Sequence, residues 1–116
     1  MDRRAQLNAL KLRALVGEHT GVTVTAESAE FGSGAALVHD GAAWVLVDES
    51  PARRLGAALA WALRADAERL HVIAESGTGI LARRAGAFAY PIDVWHAEGR
   101  ALLPAVPEPH APTPAL

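Results

Sequence analysis

Two stretches of this chain repeat one outline: VLVDESPARRLGAALA, Val45 to Ala60, and VIAESGTGILARRAGAFA, Val72 to Ala89. Each is an apolar run that passes through Glu-Ser into a helical pattern containing Arg-Arg. A strand that enters a helix and returns as another strand makes a crossover, and crossovers set the strands they join parallel. The runs beginning at Trp44, Leu70 and Ile92 are therefore expected to share one direction. Leu70 to Ala74 is nearly unbroken in its apolar character, as a strand covered on both faces should be. These joints predict an α/β fold with helices laid on a sheet.

The remaining segments extend that sheet. Asp2 to Val16 places Leu7, Leu10, Leu12, Leu15 and Val16 among Arg3, Arg4, Lys11 and Arg13, the pattern of an amphipathic helix started by Asp2 and ended by Gly17. Val22-Thr23-Val24-Thr25 alternates with period two, Ala35 to His39 and Trp44 to Val47 are short apolar runs, and Asp40-Gly41 between them is a hairpin signal. Together they predict a three-stranded antiparallel meander. After Pro51, the stripe Leu55, Ala58, Leu59, Ala62 and Leu63 predicts a helix to about Asp66. A further helix is predicted from Thr78 to Phe88, where Ile80, Leu81, Ala85 and Phe88 recur at helical spacing, with Pro91 beyond its end. Ile92 to Ala97 reads as a strand that Glu98-Gly99 turns into a short antiparallel partner, Ala101 to Leu103. The expected order is α-β-β-β-α-β-α-β-β, a mixed sheet of about five to six strands flanked by helices. Residues 1–103 form the domain, and 104–116, PAVPEPHAPTPAL, read as a proline-rich linker or tail.

Composition narrows the function classes. The 116 residues are 51% hydrophobic and 21% charged, enough apolar material for one core and unlike a disordered chain. With no cysteine there is no disulfide framework, thiolate metal site or cysteine nucleophile. The net charge of -2 supplies no global field for nucleic acid or an anionic membrane. Charges interrupt every apolar position of the N-terminal segment, so it resembles neither a secretory leader nor a membrane span. A cytoplasmic location is expected.

In open α/β sheets ligands lie at the carboxyl ends of parallel strands. Asp48, Glu49, Glu75, His96 and Glu98 belong to that edge, and Asp48, Glu49, Glu75 and His96 are the candidate ligands of a Mg²⁺ ion, which needs one or two carboxylates. Against this stands a plain capping role: Ser50, Ser76 and Thr78 are good helix N-caps, and carboxylates suit helix starts. The GTG of the second joint lacks the GxxxxGK[ST] and GxGxxG patterns of phosphate cradles, and Glu75 would repel an anion. Five scattered histidines show no HxxxH or HxH spacing for zinc. Ser33 lies in a glycine-flanked turn without an activating partner. On the helix after Pro51, Trp61 falls outside the core stripe beside Arg54 and Arg64, and with Arg83 and Arg84 it forms a candidate interaction surface, tryptophan and arginine being enriched at hot spots. Covering of the sheet by tryptophan over arginine stems explains the same pattern.

The order helix, three-strand meander, helix, strand over Asp2 to Ala74 resembles the core of the restriction-endonuclease-like, PD-(D/E)XK fold. That resemblance implies an acid near the meander's hairpin, for which Asp40 would stand, and an acid-x-lysine on the next strand. Trp44 to Ser50 contains no lysine, and the only one in the chain, Lys11, lies in the first helix. A nuclease site of this kind would be absent or rebuilt. The wording of LGAALAWALRADAERLHVIAES, GILARRAGAFA and VWHAEGRALLPA is similar to the N-terminal domain of an uncharacterised actinobacterial protein family, which implies a module joined to a C-terminal region. The expectation is thus a non-catalytic interaction or regulatory module without a cofactor, whose partner is a protein or the C-terminal domain of the same polypeptide. Nucleic acid is a less favoured partner and a membrane is not expected. The alternative is a divergent metal-dependent nuclease or hydrolase using Mg²⁺ at the acidic edge.

Overall fold

A computed structural model gives the fold and describes residues 2–109. The elements are α1 (Arg3–Thr20), β1 (Ala29–Phe31), β2 (Gly34–His39), β3 (Ala42–Leu46), α2 (Pro51–Arg64), β4 (Arg69–Ala74), α3 (Thr78–Ala85), β5 (Ile92–Glu98) and β6 (Ala101–Pro104). The six strands lie in the sheet in chain order. β2 runs antiparallel to β1 and β3, β3 to β5 are parallel, and β6 is antiparallel to β5. This is the mixed, helix-flanked α/β sheet that the strand-to-helix joints imply.

Alternation along the central strand divides the core. Leu70, Val72 and Ala74 of β4 face α2 and α3, where they pack with Leu55, Ala58, Ala62, Leu81 and Ala85. Ile73 faces α1 and packs with Leu12, Leu15, Val16, Leu37, Trp44 and Leu46. The result is three layers: α1, the sheet, then α2 with α3. Small residues let the outer layers approach closely, since Ala5 and Ala9 of α1 and Ala58 and Ala62 of α2 are buried against the sheet.

Several elements depart from the expected ones. α1 continues through Gly17 and ends at Gly21, whose φ of 74° suits a left-handed cap with its N–H on the Gly17 carbonyl. Gly17 instead permits close approach: a Cβ there would stand 3.3 Å from the Val22 carbonyl oxygen. Val22 to Thr25 is consequently not a strand. It is spent leaving the helix cap, with Val24 packed against the α1 side of the core, and Ala29–Phe31 takes the place of first strand. Leu7 and Leu10 of α1 and Leu63 of α2 point outward, each 59% exposed. α3 stops at Ala85, because Gly86 begins tighter turns in which Ala87 and Phe88 donate to the carbonyls of Arg84 and Ala85. β6 runs one residue further than expected, through Pro104.

Candidate functional site

Two places collect charged side chains. The first is the carboxyl edge of the parallel strands on the α1 side. β3 and β4 end at Asp48 and Glu75, and α1 crosses above them, bringing Asn8 and Lys11 over the edge. Asn8, Lys11, Asp48, Glu75 and Ser76 share a cavity of about 100 Å³ with Leu46, Val47 and Pro51. The cations of α1 occupy the carboxylates: Arg4 Nε lies 2.5 Å from Asp48 Oδ2, Arg4 Nη1 lies 3.0 Å from Glu49 Oε1, and Lys11 pairs with Glu75. Ser33 Oγ donates to Asp48 Oδ2 at 3.1 Å, and Asn8 Nδ2 donates to the Ser33 carbonyl at 2.7 Å.

Of the four expected metal ligands, the structure gathers Asp48 and Glu75 at one cavity and ties Glu49 to it through Arg4. His96 is elsewhere: on β5 it follows the alternation of Val94, toward the α2–α3 side, whereas Trp95 and Ala97 face α1. Asp40, the acid implied by the endonuclease resemblance, is in the β2–β3 turn, at the opposite end of β3 from Asp48. Among the described residues no three histidine, cysteine, aspartate or glutamate side chains are grouped to hold a metal ion. Arg4, Asn8, Ser33 and Lys11 were missed as members of this edge. Their only signal is that a lone lysine and an arginine stand seven residues apart on α1, two helical turns, on one side of the helix.

The capping expectation also changes here. Ser50 holds the N-cap position of α2 but in left-handed geometry, φ 49°, and its side chain makes no cap bond. Gly77, with φ 67°, takes that position before α3. Neither Ser50 nor Ser76 caps a helix.

The second place is the outer surface of α2 and α3. α2, PARRLGAALAWALR, and α3, TGILARRA, contain five arginines and no carboxylate. Arg53, Arg54, Arg64, Arg83 and Arg84 make no ion pair among the described residues, in contrast to Arg4 and Lys11 on the other side. At 100° per residue, Arg53 and Arg64 are three turns apart and share the side opposite Leu55, Ala58 and Ala62, about 16 Å from one another along the helix. Both are exposed, with Gly56, Ala57 and Ala60 between them. Arg53 was missed by sequence reasoning, although its eleven-residue spacing from Arg64 was the available signal.

The other expected surface residues divide. Arg64 and Arg84 are exposed, and Arg83 is half-buried. Arg54 turns toward the β1–β2 loop, where its guanidinium lies 3.1 Å from the point a Cβ on Gly32 would occupy. Trp61 is half-buried and packs against the core cluster beneath α2, so its ring borders the surface without standing out from it.

No helix among the described residues is long and apolar enough to cross a membrane. Comparison with protein-family models, curated proteins and solved structures finds no match to this chain.

Proposed function

We propose that this domain is a non-catalytic interaction module that docks an acidic protein segment, from a separate protein or a C-terminal domain of the same polypeptide, on the α2–α3 layer. The observation that carries the reading is the charge of that layer: five arginines without a carboxylate on either helix, in a chain whose net charge is -2. Two of them, Arg53 and Arg54, stand in the first turn of α2, where the positive end of the helix dipole disfavours cations. A local rule broken on an exposed surface is the mark of a functional constraint. Arginine also suits carboxylate partners, because its planar fork accepts them in pairs.

The acids bordering the layer favour a short acidic segment over nucleic acid. Asp66 and Glu68 follow α2, and neither makes an ion pair among the described residues. A phosphate backbone running on past Arg64 meets these carboxylates, whereas a peptide spanning Arg53 to Arg64 stops short of them. At the other edge, Arg4 and Lys11 neutralise Asp48, Glu49 and Glu75, which supports a structural use of those acids. Titration of the protein into a fluorescent hexaglutamate peptide tests the reading by anisotropy. Binding should weaken at least tenfold in the Arg53→Ala/Arg64→Ala variant. Tighter binding of a single-stranded oligonucleotide than of the peptide, lost in the same variant, would reassign the surface to nucleic acid.

A further inference from the structure

Resting on that docking reading, we propose that the segment Ala105–Glu108 is a strap lying over the α3 part of the arginine layer, and that it lifts before Arg83 is offered to a partner. The chain leaves β6 with the Ala105 N–H donating to the Val94 carbonyl at 2.9 Å, and Ala105 packs against the core beneath α2 and α3. Three residues later the Glu108 N–H donates to the Gly79 carbonyl, also at 2.9 Å. The strap thus reaches from the middle of β5 to the first turn of α3.

Gly79 is the notch that receives it. A Cβ at this position would stand 3.2 Å from the Glu108 Cβ and 3.4 Å from the Val106 carbonyl oxygen. Glycine leaves room for this backbone in the first turn of α3, where a side chain would press on it. Gly79 and Arg83 are four residues apart and share one side of α3, away from the buried Leu81 and Ala85. Arg83 is half-buried although it points away from the sheet, while its neighbour Arg84 is exposed. On this proposal it is the strap, seated on Gly79 of the same side, that covers Arg83.

The strap is also built to open. Two backbone hydrogen bonds and one small side chain hold it, and Val106 is 81% exposed. Segments with so few buried contacts detach without unfolding the rest of the domain. Pro104 and Pro107 keep it extended, so it lifts as a stiff unit. Glu108 carries to the α3 surface the same charge that an acidic partner would bring, making the strap a competitor in cis.

The experiment uses the full chain with Gly79→Leu, which fills the notch, and reads two quantities: hydrogen exchange of the Glu108 amide and affinity for the hexaglutamate peptide. Exchange should accelerate at least tenfold and affinity should rise about fivefold, the gain disappearing when Arg83→Ala is added. Ala105→Gln, which expels the strap from its other end, should reproduce the gain and guards against misfolding of the first variant. A freed Glu108 amide with unchanged affinity would overturn the strap while leaving the docking surface intact. Absence of peptide binding by the wild type and both variants would remove the docking reading, and the strap with it.

Discussion

The indole N–H of Trp95 donates to Nδ1 of His71 across 3.0 Å, which places the proton of the neutral imidazole on Nε2. The His71 ring is stacked on Trp44, with centroids 3.8 Å apart and planes at 17°, and His19 of α1 meets both tryptophans edge-on. Burial pushes His71 down to about 4. Asp93 opposes that shift with its carboxylate 3.6 Å away, and Arg69 and His19 add to it.

A pH dependence of stability follows. Above the ordinary histidine value of 6.5 both the folded and unfolded chains hold His71 neutral, and it contributes nothing to the pH slope. Between 6.5 and about 4 the unfolded chain takes up the proton and the folded one does not, so stability is lost as pH falls and levels off below that window. Because the ring is not fully buried, solvent screening keeps the loss to about 1 to 3 kcal/mol. Urea unfolding at pH 7, 5.5 and 4 measures it, and His71→Phe should remove this part of the slope.

Ser50 supplies a test that separates capping from backbone strain. A serine that caps a helix loses stability when changed to glycine or alanine, but Ser50 has a left-handed backbone and no cap bond. Ser50→Gly should therefore stabilise the domain by about 0.5 to 1 kcal/mol, and Ser50→Ala should gain nothing. Thermal unfolding of the two variants distinguishes the cases, since a cap would make both of them less stable.

Gly34 should tolerate no side chain. At the start of β2 an added Cβ would stand 1.9 Å from the Leu46 carbonyl oxygen, a backbone atom held in the β2–β3 ladder. Gly34→Ala must push the hairpin apart, at a cost of about 3 kcal/mol or more. In a domain of this size the melting temperature should fall by at least ~10 °C.

The sheet was legible where chemistry is local. Asp40 and Gly41 have φ of 53° and 78°, the left-handed pair that a two-residue hairpin needs, and the dipeptide announces it. The apolar runs at Trp44, Leu70 and Ile92 gave strand direction through their crossovers. Val22 to Thr25 misled because a period of two describes extended segments outside sheets as well, and here only Val24 is packed while Val22 is 55% exposed. The joining of Arg4 to Asp48 and Glu49, and of Lys11 to Glu75, depends on how α1 crosses the sheet, which no local pattern encodes. Trp61 showed the limit of a helical wheel: its angle puts it at the border of the core, and only packing decides that the ring is half-buried.

On the proposed docking reading the α2–α3 layer, and not the carboxyl edge of the sheet, is the working surface. The most direct measurement is an NMR titration of the labelled protein with hexaglutamate, following arginine and lysine side-chain and tryptophan indole resonances. Docking on this layer should shift Arg53, Arg64 and Arg84 and the Trp61 indole, which border one another on α2 and α3, and leave Arg4 and Lys11 unmoved. Shifts centred on Arg4 and Lys11, or none at Arg53 and Arg64 at saturating peptide, would contradict it.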